Sequence, residues 1–368
     1  MASKFRPLIK EAPQSSDAIH GRGASWSPAN RFEKLHVDLM DVDVVDPVAA
    51  EEDRPARRTE YFRDRTKTII AHNNSPDVGF ESSVNPYRGC EHGCIYCYAR
   101  PTHEYLGFSA GLDFESRIMV KEDAPELLAA ELSKPSWTPQ ILAMSGVTDP
   151  YQPVERRLQI TRRCLKVLAR FRNPVGIITK NALVTRDIDL LGELAAHQAA
   201  AVNISVTSLD PKLQRILEPR TSTPRARLEA IAQLRATGIP TGVMVAPIIP
   251  GLTDHEVPAI LQACAKAGAQ WAGYTVVRLP FAVAPLFEHW LEEHFPERKE
   301  KVLGRIRHLR GGERLNDPSF KTRMRGEGIF AEQIRGLFHI GCRRAGIGER
   351  IQLSTAAFRR PNEQLALL

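Results

Sequence analysis

Val175-Gly176-Ile177-Ile178-Thr179, the segment Asp187 to Gln198, and Ala201-Val202-Asn203-Ile204-Ser205-Val206 together decide the fold. A short, mostly apolar run is followed by a segment whose apolar residues recur at helical spacing, and then by a second apolar run. A strand apolar at nearly every position, rather than every second one, must be covered on both faces. A helix between two such strands is the crossover that joins parallel neighbours.

The same alternation extends in both directions. Upstream, Phe114 to Val120 reads as a strand. Asp123 caps a helix with Pro125 in its first turn and Leu127, Leu128 and Leu132 as its stripe. Ile141 to Met144 is a short buried strand. Arg157 to Phe171 is an amphipathic helix with Ile160, Cys164, Leu165 and Leu168 on one face. Downstream, Thr223-Pro224 starts a helix that Gly238 and Pro240 end. Gly242 to Ile248 is a strand, Thr253 or Asp254 begins a helix ending near Gly268, and Trp271 to Val277 is the last strand.

About six strand–helix units result, fewer than the eight of a closed barrel. The expected fold is therefore α/β, a partial (β/α)6 TIM-like barrel over residues 65–290. Residues 1–64 are expected to form an N-terminal arm, with loop chemistry at 21–25, a short strand at Leu35 to Met40, and an extended stretch over 41–58. Residues 291–368 form a C-terminal extension.

The 368 residues are 43% hydrophobic and 25% charged, which is ordinary globular composition and excludes a coiled coil, a collagen-like chain and a wholly disordered protein. A chain of this length buries enough apolar surface to need no disulfides. No run of about 18 apolar residues is present, so no membrane span is expected. Met1-Ala2-Ser3-Lys4-Phe5-Arg6 lacks the apolar run of a signal peptide, so a soluble, cytoplasmic protein is expected. The net charge is +7. Residues 297–350 hold fourteen Lys/Arg against seven Asp/Glu, so the whole excess belongs to the basic C-terminal extension.

Three of the six cysteines lie within eight residues, in Cys90-Glu91-His92-Gly93-Cys94-Ile95-Tyr96-Cys97. Three thiolates this close on a glycine-containing loop can converge on one metal centre, with Gly89 or Gly93 allowing a tight turn. Two centres suit them. One is a cubane iron–sulfur cluster with three irons ligated and the fourth open. The other is a zinc site with His92 or His103 as fourth ligand, although structural zinc sites usually show a second, distant ligand pair and none is present here. Cys164 and Cys264 lie on apolar helix faces and read as core. Cys342 reads as a packed free thiol, with radical quenching or metal binding as its other roles.

Cys90-x3-Cys94-x2-Cys97, with Tyr96 just before the third cysteine, resembles the radical S-adenosylmethionine (SAM) superfamily. Asn85-Pro86-Tyr87-Arg88-Gly89-Cys90 and Cys97-Tyr98-Ala99-Arg100 resemble its branch around spore photoproduct lyase. The resemblance covers about residues 65–290. It implies a [4Fe–4S] cluster on Cys90, Cys94 and Cys97, with SAM chelating the open iron. It also implies reductive cleavage of SAM to a 5′-deoxyadenosyl radical that abstracts a substrate hydrogen, and an electron donor such as flavodoxin or ferredoxin.

By position in that fold, Ser145, Gly146 and Asp149 face the methionine amino group, although the family's usual Gly-Gly-Glu is absent. The resemblance implies that Lys180 pairs with the methionine carboxylate, the alternative being a solvated lysine, that Ser205 and Thr207 bond the ribose, the alternative being a β-rich Ser/Thr pattern, and that Pro247 and Ile249 to Gly251 pack on adenine. Tyr96 reaches adenine, and Glu218-Pro219-Arg220 is a loop ion pair. Spore photoproduct lyase uses a cysteine hydrogen donor after the strand that follows the cluster loop. No cysteine lies between Cys97 and Cys164 here, which argues against carrying over thymine-dimer repair.

Two functional readings follow. The first is a radical SAM enzyme. Its substrate is nucleic acid if the basic extension neutralises phosphates; otherwise the extension is an ordinary basic surface or a cap over the barrel mouth. The second is a zinc-stabilised nucleic-acid-binding protein without catalysis.

Overall fold

The computed structural model describes Ile19, residues 21–32 and residues 59–361, and the expected strand at Leu35 to Met40 and stretch over 41–58 lie outside the described residues. Ten strands are present there: β1 (Glu60–Arg63), β2 (Ile70–His72), β3 (Ser82–Val84), β4 (Tyr87–Arg88), β5 (Arg117–Val120), β6 (Leu142–Met144), β7 (Val175–Thr179), β8 (Ala200–Ser205), β9 (Thr241–Ile248) and β10 (Ala272–Val276). Seven of them form one sheet in the order β10-β9-β8-β7-β6-β3-β2. From β3 to β10 each strand pairs in parallel with its neighbour, and only β2 runs antiparallel at the edge.

Six parallel strands thus follow one another in chain order, wound in one direction, with helices as crossovers. This is the open, incomplete barrel expected. Sheet positions such as Val175, Ile177, Val202, Ile204, Val243 and Val245 are buried, as strands covered on both faces require. The helix Ile160–Phe171 turns Ile160, Cys164, Leu165 and Leu168 inward, and Val257–Lys266 turns Ile260, Leu261 and Cys264 inward. Both cysteines are core, as read. Thr223 caps the helix Pro224–Ala236, its hydroxyl accepting from the Ala226 N–H at 3.3 Å.

One strand of the expected six is a different one. Leu112–Ser116 is helical, and only Arg117–Val120 is extended, in a separate small sheet of order β1-β5-β4. The barrel's first strand is Ser82–Val84. Two buried serines hide it from a reading that looks for apolar runs. The Ser82 hydroxyl meets Gln140 Oε1 at 2.8 Å and His72 Nδ1 at 2.9 Å, which satisfies its polarity internally. Asp123 precedes the helix Ala124–Ser133 without capping it; its carboxylate pairs with Arg63 instead.

The C-terminal extension packs on the barrel. Ala331, Ile334 and Phe338 of the helix Gly328–Ala345 join the main core, and the Phe338 ring centroid lies 4.5 Å from that of Tyr274 on β10. Gly341 permits the closest approach, because a Cβ there would stand 2.7 Å from Leu261 Cδ1. Arg310 is buried and donates to the Val277 carbonyl at 2.6 Å, tying the extension to the carboxyl end of β10. Among the described residues no helix is long and apolar enough to cross a membrane.

Candidate active site

The loop Cys90–Cys97 is folded by its own backbone and by four neighbouring segments. Gly89 and Gly93 adopt φ of +77° and +67°, so the two glycines make the turns around the cysteines. Side chains fill the underside. Arg100, fully buried, donates to the Cys94 carbonyl at 3.0 Å and the Gly93 carbonyl at 3.1 Å, and is neutralised by buried Glu115. Glu115 also accepts from the backbone N–H groups of Gly23 (3.0 Å) and Ala24 (2.9 Å), which brings the N-terminal segment under the loop. Gln152 exchanges bonds with Glu91 N–H and the Gly89 carbonyl. The Ile95 N–H donates to Leu217 and the Arg220 N–H to His92.

This scaffold presents three free thiols. Among the described residues no three His, Cys, Asp or Glu side chains stand at the spacing of a closed metal site. The thiols nevertheless feel one another. Burial pushes Cys94 well above the ordinary thiol range, and Glu218, Cys97 and Cys90 push in the same direction against Lys180. Burial and Cys90 push Cys97 up to about 11. Cys94 and Cys97, whose thiols disfavour ionisation, need a cationic centre to become ligands. An all-thiolate set suits an iron–sulfur cluster, so the residues present fit that group.

The histidines proposed for zinc are otherwise placed. His92 is buried, with Nδ1 3.4 Å from Asp149 Oδ2 and Nε2 3.3 Å from Asn181 Nδ2. His103 is buried between Phe108 and Phe114, with ring centroids at 5.2 and 5.6 Å. Burial lowers its pKa to about 4, with Arg117 and Asp113 only partly offsetting this.

The sequence-expected SAM contacts gather beside the loop, at the carboxyl ends of β6, β7 and β8, where barrel sites form. Ser145 and Gly146 follow β6 with φ of 148° and +113°; a serine there is strained. The Gly146 carbonyl accepts from the Tyr98 hydroxyl. Asp149 is engaged by the Thr179 hydroxyl (2.7 Å) and by the Tyr151 (2.9 Å) and Lys180 (2.8 Å) N–H groups. Lys180 Nζ lies 3.1 Å from Glu218 Oε1, 3.2 Å from Thr207 Oγ1 and 2.9 Å from the Ala246 carbonyl. Ser205 is buried, and its carbonyl accepts from Arg227 at 2.9 Å. Pro247 is half-buried on β9, while Ile249 is buried in the apolar cluster that also holds Cys94, Ile95 and Tyr96.

Glu218 is more than half of a loop ion pair, and its partner is not Arg220. Arg220 pairs with Glu91 at 3.2 Å. Glu218 is buried against Arg227, Lys180, the Tyr96 hydroxyl and the Thr207 hydroxyl. Burial alone would raise its carboxyl, but Arg227, Lys180 and the two hydroxyls outweigh it and hold it well below the usual carboxylate range. Sequence adjacency favoured Arg220; the correct partner sits in the first turns of the next helix. Arg100 and Arg227 went unassigned, although Arg100 stands three residues after Cys97.

The radical SAM superfamily model matches residues 84–264, which brackets the cysteine loop and the strands β6 to β9. The chain belongs to the radical SAM superfamily. A similar protein is an uncharacterized protein of Mycobacterium tuberculosis, 38% identical over 255 residues, covering 68% of this chain and 74% of that one. A protein of Pseudomonas phage M6 described as a radical SAM Nα-GlyT isomerase is 26% identical over 218 residues, covering 58% of this chain and 43% of that one. Among solved structures, spore photoproduct lyase complexed with dinucleoside spore photoproduct superposes with a TM-score of 0.53 at 15% identity, covering 77% of this radical SAM chain and 78% of the lyase. That identity supports likeness of fold alone, and the fold is the partial barrel described above.

Proposed function

We propose that this radical SAM protein is an enzyme that holds a [4Fe–4S] cluster on Cys90, Cys94 and Cys97 and acts in the cytoplasm on a nucleic acid. One observation carries the reading: three free thiols on a single rigid loop beside the carboxyl ends of a singly wound parallel sheet. When bound, the cluster and SAM supply reductive C–S cleavage and a 5′-deoxyadenosyl radical for hydrogen abstraction. The electron comes from a small donor such as a flavodoxin or ferredoxin.

The chain's own residues then bind, orient and seal. Lys180 supplies the cation for the methionine carboxylate, and its contact with Glu218 fixes the ammonium until that anion arrives. Ser145, Gly146 and Asp149 form the amino-group side, Ser205 the ribose side, and Tyr96 the adenine side. The partners of Asp149, Lys180 and Tyr96 hold those three side chains in advance, so binding orders little of them that is not already ordered. The apolar cluster of Cys94, Ile95, Tyr96, Ile249 and Leu279 excludes water from the site.

The nucleic-acid reading rests on the basic extension and on two similar proteins, the lyase complexed with dinucleoside spore photoproduct and the phage isomerase named for GlyT. Anaerobic incubation with dithionite, SAM and deuterated single-stranded DNA or RNA tests it. Deuterium in 5′-deoxyadenosine is expected. Deuterium arriving only from the small-molecule fraction of a labelled cell extract would remove nucleic acid as the substrate.

A further inference from the structure

Three large aromatic side chains stand out from the surface near the cysteine loop: Tyr105 is 72% exposed, Phe281 63% and Phe32 50%. They are not scattered. The rings of Phe32 and Tyr105 stack with centroids 4.9 Å apart and planes at 30°. The guanidinium of Arg31 lies 5.2 Å from the Phe32 ring centroid and 3.8 Å from that of Phe281. Tyr105, Phe32, Arg31 and Phe281 thus form one ladder of planar groups, a cation between aromatic faces.

The ladder is built from three parts of the chain around the site. Tyr105 belongs to the 3-10 helix Arg100–Leu106, which begins three residues after Cys97. Phe281 follows the carboxyl end of β10, two residues beyond Leu279, which packs with Cys94, Ile95 and Tyr96. Arg278, on the same segment, lies 5.3 Å from the ring centroid of Tyr98, the residue next to Cys97. The ladder therefore sits at the rim of the barrel mouth.

Two further features show that it is held in place. Arg31 Nε donates to Glu104 Oε2 at 2.6 Å, and that carboxylate is buried, so the guanidinium plane is anchored from behind. Phe281 keeps a backbone φ of +50°, a left-handed conformation costly for a bulky residue. Strain that holds an apolar ring out in water is not explained by stability, and such outliers concentrate at binding sites.

We propose that Tyr105, Phe32, Arg31 and Phe281 form a base-stacking platform that holds a single-stranded or splayed-out segment of nucleic acid at the rim of the barrel mouth. The inference rests on the nucleic-acid reading above and names how that substrate is gripped. Every base has a π-face that an aromatic ring or an arginine plane can stack on, and an exposed alternation of the two is the usual platform for unpaired bases. The charge agrees: the ladder holds a cation, Arg31, and no acid, while the neighbouring carboxylate of Glu104 is buried behind it.

The test uses the anaerobically reconstituted full chain, a fluorescein-labelled dT20 oligonucleotide and a matching strand carrying 2-aminopurine. Anisotropy gives Kd across a salt series, and quenching of 2-aminopurine reports stacking directly. Phe281→Ala and Tyr105→Ala are each expected to weaken binding by at least about fivefold and to restore 2-aminopurine emission. The slope of log Kd against log salt should be unchanged, because no phosphate contact is lost. Ile340→Ala, which removes an exposed apolar side chain elsewhere, should do neither. Arg31 is left intact because its loss would strand the buried Glu104. Circular dichroism confirms that each variant is folded.

Variants that bind dT20 as tightly and quench as well as the parent would overturn the platform while leaving the nucleic-acid reading standing. A parent chain that binds neither DNA nor RNA at low salt overturns both. If Phe281→Ala abolishes a self-association seen by sedimentation while Kd for dT20 is unmoved, the surface is a contact between copies and the proposal fails.

Discussion

Glu218 shows how much one buried carboxylate can organise. It faces two cations and two hydroxyls contributed by four different segments, and among the described residues it is the carboxylate paired with the Lys180 ammonium. Glu218→Gln keeps the shape and removes the charge, leaving Arg227 buried without a counter-ion. Breaking a buried pair in this way is expected to cost about 3 kcal/mol, read as a lower urea midpoint at unchanged m-value. His103 makes the opposite kind of prediction. Its pKa is lowered to about 4 by burial, so the folded chain refuses a proton that the unfolded chain accepts near its ordinary value of about 6.5. Stability is therefore full above that value and declines as pH falls toward 4, an effect of order 3 kcal/mol that His103→Leu should flatten in a pH series of unfolding curves. At this scale the sequence was legible where chemistry is dense. Spacing singled out the three cysteines and family position Lys180 and Asp149, and the structure sets Asp149 against His92 of the cysteine loop and Lys180 against Glu218. The partners were not legible, because Arg227 reaches Glu218 across a helix start, and adjacency pointed to Arg220.

The element that matters most is the cysteine loop, and its rigidity comes from packing that tolerates no extra atom at one point. A Cβ on Gly93 would stand 2.7 Å from Glu115 Oε2, at a φ of +67° that disfavours any side chain. Gly93→Ala is expected to push Glu115 off the Gly23 and Ala24 N–H groups. The folded chain should then take up less than half the parent's iron on reconstitution, measured by iron analysis beside circular dichroism. The other elements divide by how they bury themselves. β7 to β10 were legible as apolar runs between amphipathic helices, since strands covered on both faces carry few polar positions, Asn203 and Ser205 of β8 among them. β3 was not, because Ser82 and Ser83 are buried with their hydroxyls spent on the protein. The Phe114 stretch misled for the converse reason: Phe114 and Ser116 are buried in a helical turn, and only the last four residues are extended.

At the scale of the whole molecule, the barrel and its C-terminal extension share one apolar core through Phe338, Tyr274 and Leu261. Phe338→Ala should cost about 3 to 5 kcal/mol and lower one cooperative melting transition, whereas an independently folded extension would melt in a step of its own. The extension was legible as a charge excess but not as part of the core, because its apolar residues are spread at helical spacing among fourteen cations. In the proposed function those cations and the ladder at the rim select the substrate, while the loop carries the chemistry. The most direct test of the loop is anaerobic reconstitution with iron and sulfide, followed by dithionite and SAM, for the parent and for Cys90→Ala, Cys94→Ala and Cys97→Ala. About four irons per chain and release of 5′-deoxyadenosine are expected from the parent, with neither from any variant. A variant that still carries a complete cubane and still releases 5′-deoxyadenosine would contradict the account.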